Sequence, residues 1–442
     1  MKRYDSYRDS GIEWIGDIPN HWEVNRVKYS FSFKTGFTPP SGKKEYYQDG
    51  SHIWINISDL QDKYVYNSAS KITDKAIQDL EPEIVPKSSL LYSFKLSVGR
   101  VGFNSVDCYT NEAIFSIVPD GKTNLNFFYY SLPNQIIKNA HENIYGAKIL
   151  NQELIKNASL IIPPPEEQTT IADYLDRKTA AIDDLIENKK RLLQLYEEEK
   201  QAVIDELVTG KKVWNGKEWT QPQEVKDSGI EWLGEIPKDW EVRKLKYVAL
   251  TYPSNVDKKS RDDEENVLLC NYVDVYKNDF ITSDLKFMKA TASYNQIRKF
   301  ELNEGDVLVT KDSERPDDIA IPSLVKDEVD NLICGYHLNL IRPFDLIGNY
   351  LFRFLQSEYS KSHFYNSANG VTRFGIGAEK FSNFLIVKPN KNEQKTIVNK
   401  IETEIKRIND KIDNINRLIN LLQEYRQALI SEVVTGKVKV TD

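Results

Sequence analysis

The chain is written twice. Asp9-Ser10-Gly11-Ile12-Glu13-Trp14 runs on to Tyr29, and Asp227-Ser228-Gly229-Ile230-Glu231-Trp232 runs on to Tyr247, identical at 14 of 21 positions with a constant offset of 218. A second pair repeats at offset 226, Glu167-Gln168 through Gly210-Lys211 against Glu393-Gln394 through Gly436-Lys437. Between these matched ends the halves differ freely. A solenoid unit has only ~20–50 residues, so a period near 220 is domain duplication. The order is opening motif, variable domain and closing helix, then the same three again.

The closing helices carry a heptad. In the second copy Ile397, Ile401, Ile405, Ile408, Ile412, Ile415, Ile419, Leu422, Arg426, Leu429 and Val433 follow 3- and 4-residue steps; the first copy reads Ile171, Leu175, Thr179, Ile182, Ile186, Lys189, Leu193, Tyr196, Lys200, Val203 and Leu207. A stripe sustained over about five heptads argues for a two-stranded coiled coil. Pro163-Pro164-Pro165 and Pro389 stand where helices start, and Gly210 and Gly436 stand where a glycine closes one. Chain order makes the pair antiparallel, which predicts two similar domains at opposite ends of a rod, related by a pseudo-twofold axis. The expected division is residues 1–165, first domain; 166–212, central helix; 213–226, linker; 227–388, second domain; 389–442, C-terminal helix. Short β-like runs such as 52–57, 89–93, 306–310 and 337–341, with helical patches at 124–134 and 347–364, make each domain α+β.

Catalytic motifs are incomplete. Gly121-Lys122-Thr123 resembles the end of a phosphate-binding loop, but Ser116 stands where its first glycine is required. His141-Glu142 lacks the second histidine of a zinc motif, and Pro316-Asp317 has Leu324 where a nuclease would need a carboxylate. Cys108, Cys270 and Cys334 form neither a disulfide framework nor a metal knuckle, which places the chain in a reducing, cytoplasmic setting. No apolar run of ~18 residues occurs, arguing against a membrane span.

Loops rich in Lys, Arg, Asn and Tyr are the candidates for holding phosphates and reading base edges. In the first domain these are Lys43, Lys44, Tyr46 and Tyr47, then Lys95 and Arg100, and Lys148. In the second they are Lys258, Lys259 and Arg261, then Lys311 and Arg315, and Asn369 and Arg373. The net charge of −7 opposes this reading at first sight. Divided by segment, no part exceeds +2 and the two domains carry −2 and −5. That argues against strong autonomous, nonspecific DNA binding.

The repeats resemble the specificity subunit of type I restriction-modification enzymes: Lys226-Asp227-Ser228-Gly229-Ile230-Glu231-Trp232 to Pro237 and Trp240 is similar to that family's opening sequence, and Pro163-Pro164-Pro165-Glu166-Glu167-Gln168, echoed by Pro389 and Glu393-Gln394, to its join between a target recognition domain and a conserved helix. The resemblance implies a non-catalytic subunit whose two domains each read one half of a split, asymmetric site on double-stranded DNA, with the helices fixing the unread spacer. It implies two methyltransferase subunits as partners, and through them restriction subunits. S-adenosylmethionine, ATP and Mg would act on those partners, with no cofactor bound by this chain. Beside the heptad, Leu192, Leu195 and Ala202, and Leu418, Leu421 and Ala428 at offset 226, form a second apolar stripe suited to two identical partners; a widened coiled-coil core explains the same stripe. A non-enzymatic coiled-coil adaptor with two protein-binding ends is the alternative for the whole chain.

Overall fold

In the computed structural model the described residues are 2–95, 97–142 and 148–440, without the side chains of 141, 142, 148 and 149. The chain divides into two compact units, residues 1–189 with 417–442, and residues 190–416. The units do not follow the sequence repeat, because each long helix contributes to both. Those helices are Pro165–Val208 and Lys391–Val434, 44 residues each, coinciding at offset 226. Among the described residues no helix is long and apolar enough to cross a membrane.

The motifs at the helix ends are structural. Gln168, 7% exposed, donates to the carbonyl of Pro163 at 2.9 Å, and Gln394, fully buried, donates to that of Pro389 at 2.8 Å. Each glutamine therefore ties a helix start to the proline at the join. At the other end Thr209 and Thr435 donate back to the carbonyls of Asp205 and Ser431, and Gly210 and Gly436 adopt left-handed φ values of 78° and 73°. Glycine is the residue that accepts this conformation without a Cβ penalty.

All twenty-two heptad positions are buried or half-buried. In the first unit Arg426, the one polar position of the second stripe, forks onto Asp183 at 2.8 and 3.0 Å. In the second unit Arg407 meets Glu199 at 2.5 Å, and Lys411 lies over the Tyr196 ring. In the second unit residue numbers rise on one helix as they fall on the other, Arg407 to Lys411 against Glu199 to Tyr196, so the segments pair antiparallel.

The domains share a topology that their sequences do not display. In the first, a five-stranded sheet has the order 34–35, 114–117, 90–93, 101–104, 64–65, and a three-stranded sheet the order 109–110, 52–55, 71–72. The second repeats this strand by strand: 249–253, 338–343, 307–310, 322–325, 280–281, and 332–334, 265–270, 288–292. Parallel and antiparallel pairings also agree throughout. Strand Val307–Thr310 shows why these runs are continuously apolar: Val307 and Val309 face a core built with the helices, and Leu308 faces a second core under the three-stranded sheet. Each domain closes through a two-stranded ribbon, 23–26 with 159–162 and 241–244 with 385–388.

Two local expectations change. The helical patch 347–364 is two helices, Gly348–Leu355 and Glu358–Ser367, the second capped by Ser357. The linker 213–226 is not merely a connection: strands Val213–Trp214 and Trp219–Thr220 form a hairpin whose two indoles lie 5.8 Å apart. The opening motif begins as a hairpin, strands 7–9 with 17–19 and 225–227 with 235–237, whose turns have Asp9 and Asp227 accepting from the backbone of Gly11 and Gly229 at 2.9 and 3.0 Å.

Candidate nucleic-acid interface

In the second domain the chain leaving strand 307–310 forms Asp312–Ser313, which pairs with Phe374–Gly375 of the hairpin 369–375. Lys311, Arg315, Asn369 and Arg373, scattered in sequence, thus come to one small sheet. Lys311 Nζ lies 3.6 Å from Asp312 and 4.5 Å from the Tyr336 ring centroid. Asp312 also holds His337 Nδ1 at 2.7 Å, and Arg373 approaches that nitrogen at 3.3 Å. His337 has φ of 73°, an uncommon left-handed conformation of the kind that clusters at functional sites. Beside it is a hollow of about 350 Å³ lined by Tyr272, Asp312, Ser313, Asp318, Thr372 and Arg373. Donors and acceptors set side by side in this way suit base edges.

Some of the cations are already paired. Arg315 donates to Asp317 through Nε and NH2, which holds that carboxyl below its ordinary value. Arg261 is engaged by Glu264 at 3.0 Å and Asp257 at 3.6 Å. Lys258 and Lys259, on the same loop, are exposed, as are Asn369 and Arg373.

The first domain presents its equivalent loop after strand 90–93. Gly99 donates to the carbonyl of Ser93 at 2.9 Å and the Arg100 amide to its hydroxyl at 3.0 Å, leaving the side chains of Lys95 and Arg100 exposed. Lys43 and Lys44 are exposed on a different loop, over the three-stranded sheet. A hydrogen bond to the Tyr46 hydroxyl at 3.0 Å raises the Lys43 ammonium above its ordinary value. Tyr46 corrects the sequence expectation: it is 2% exposed and packs with Trp54, Ile72, Ala76 and Tyr109, so its ring is core and not a base contact. Tyr47 is half-buried, its hydroxyl spent on the Pro39 carbonyl. The side chain of Lys148 lies outside the described residues.

The resemblance to a phosphate loop is also settled locally. Asp120 accepts from the backbone N–H groups of Lys122 and Thr123 at 2.9 and 2.7 Å, so a carboxylate already occupies the donors that a phosphate would need. Those bonds hold Asp120 below the usual carboxylate value.

On the helices, Leu195 and Ala202 in one unit, and Leu418, Leu421 and Ala428 in the other, are exposed; Leu192 is half-buried. All six are outside the heptad stripe, and the five exposed ones are not a widened core.

Sequence reasoning missed His337, Asp312, Tyr272 and Tyr336, which gain meaning only when the strands bring them together. One signal was available. Asn56-Ile57-Ser58-Asp59 and Asn271-Tyr272-Val273-Asp274 are reciprocal capping boxes after equivalent strands, and they align the variable halves.

The model of the type I restriction modification DNA specificity domain matches residues 19–195 and 237–421. The MjaIX specificity subunit of Methanocaldococcus jannaschii is 25% identical over 447 residues, covering 97% of this chain and 96% of that one. The EcoBI specificity subunit of Escherichia coli is 22% identical over 366 residues, 80% and 75% of the two chains. A solved chain from a study of complex assembly and conformational transition in the type I R-M system aligns with TM-score 0.68 at 13% identity, over 95% of this chain and 99% of that one. The HsdS subunit from Thermoanaerobacter tengcongensis aligns with TM-score 0.51 at 14% identity, over 95% and 98%.

Proposed function

The chain belongs to the type I restriction-modification DNA specificity family, and from that premise we propose that its two domains read the two halves of a bipartite, asymmetric site on double-stranded DNA. One observation carries this reading: the domains have the same strand order and pairing but unrelated loops, as two readers of different sequences need. The specificity subunit is non-catalytic. In this reading two methyltransferase subunits dock on the exposed leucines of the long helices and restriction subunits join through them, with S-adenosylmethionine, ATP and Mg serving those partners. The helices set the number of unread base pairs.

Mapping methylated adenines across a host genome carrying the intact system tests the assignment. The expected result is one sequence of two specified blocks with a fixed unspecified spacer, and replacing residues 227–388 with another such domain should change one block only. Methylation without a bipartite sequence, or both blocks changing together, would overturn it. Inserting one heptad into the central helix should lengthen the spacer by about three base pairs, since seven residues add ~10 Å.

A further inference from the structure

Where the opening motif ends, the two copies keep a constellation that packing does not require. Lys28 and Tyr29 match Lys246 and Tyr247 at offset 218, and Asn157 matches Asn383 at offset 226. In each copy the lysine Nζ donates to the asparagine Oδ1 at 3.1 Å, and the same ammonium lies 5.1 or 5.4 Å from the centroid of the following tyrosine ring. The backbone beneath is fixed in the same way, with Val27 N bound to Ala158 O at 3.0 Å and Leu245 N to Phe384 O at 2.8 Å. The tyrosines are 70% and 62% exposed, so neither contributes much to a core. Two residues upstream stand Arg26 and Lys244. Among the described residues none of Arg26, Lys28, Lys244 and Lys246 has an ion pair, and all are exposed.

Whatever these sites contact must itself occur twice. Residues that read base edges in an asymmetric target must differ between the domains, whereas the sugar-phosphate backbone is the same in both halves. We propose that Arg26, Lys28, Tyr29 and Asn157, and their counterparts Lys244, Lys246, Tyr247 and Asn383, are two copies of one contact site for the phosphate backbone of duplex DNA. The inference rests on the DNA-reading assignment above and adds residues to it that neither domain needs for sequence choice. The chemistry fits. An ammonium has three donors, of which the asparagine takes one; the tyrosine hydroxyl and the asparagine amide are further donors, and the cations have no carboxylate to release before meeting a phosphate. The ring and the amide also restrict the lysine, lowering the entropy lost on binding.

The test uses the full chain co-purified with its methyltransferase subunits and a 30-base-pair duplex of random sequence, with affinity measured as salt is varied. Lys28→Gln with Lys246→Gln should lower the log–log salt slope by about 0.9 for each lysine. Lys28→Arg with Lys246→Arg should retain the slope, and Tyr29→Ser with Tyr247→Ser should weaken binding equally for all sequences. Thermal unfolding and the methylated sequence should not change. An unchanged slope in the glutamine variant overturns the inference. So does an altered methylated sequence, which would make these residues base readers, or loss of methyltransferase with the slope per remaining complex intact, which would make them a protein contact. If the unsubstituted complex itself shows no salt-dependent binding, the DNA-reading assignment fails with it.

Discussion

Gly436 and Pro19 are in such close contact that a β-carbon on the glycine would stand 2.4 Å from Pro19 Cδ, and Gly210 repeats the relationship with Pro237 at 2.3 Å. Each opening motif thus seats its proline and tryptophan against the end of a long helix. Gly436→Ala combines this clash with a positive φ and should cost about 1–3 kcal/mol or more. Gly121 has φ of 72° but open space around it, so Gly121→Ala should cost less. Urea unfolding followed by tryptophan fluorescence measures both, and equal losses would remove the packing explanation.

Arg353 is 1% exposed and donates to Glu402 at 2.9 and 2.7 Å and to Gln356 at 2.8 Å, whereas the Glu402 side chain is 42% exposed. The two ends of this pair are therefore unequal. Glu402→Ala strands a buried cation and should cost about 3–5 kcal/mol. Arg353→Met leaves the carboxylate free to hydrate and puts an apolar chain beside Phe352, so the loss should be smaller. Chemical denaturation of both variants decides, and the reverse order would refute the argument.

His363 is depressed below its ordinary value of 6.5 by burial, with Lys380 adding to the effect. It packs against Phe364 and Phe384, and its Nε2 has no hydrogen-bond partner. The unfolded chain therefore binds the proton more readily. Stability from this group is present above pH 6.5 and is lost as pH falls from there through the lower folded value. The drop in melting temperature below pH 6.5 should be smaller in His363→Gln than in the native chain; identical profiles would assign the acid sensitivity elsewhere.

Leu195 and Leu421 are 51% and 50% exposed. Replacing both by Glu should abolish co-purification with the methyltransferase while leaving the melting temperature within a degree or two, because neither side chain fills a core. Retained co-purification would remove these leucines from the docking surface.

The parts legible in the sequence were those with a periodic or repeated cause. The heptads mark where both long helices run, since a proline before and a glycine after each stripe leave little choice; the C-terminal segment expected over 389–442 is helical over Lys391–Val434. The strand runs at 90–93 and 307–310 were visible because both faces are covered and every residue is apolar or small. The shared sheet order was hidden, because equivalent strands are joined by loops of different length. Tyr46 was misplaced for a related reason. Next to Lys43 and Lys44 it looked like part of an exposed aromatic and basic loop, but the three-stranded sheet turns its ring inward onto Trp54. Arg261 and Arg315 were legible as cations, but their pairing with Glu264 and Asp317 came only from the fold of each loop.

The ribbon that closes the first domain pairs Val24 with Ile161, and the central helix begins at Pro165. During synthesis the domain can close only as its last strand leaves the ribosome, just before the helix follows. Arg426, which meets Asp183 on that helix, is made 243 residues later. At ~5–20 residues per second this delay is roughly 12–50 s. For that time the stretch of the central helix around Asp183 waits without the segment that carries Arg426, and translation speed sets how long that face is open to the cell.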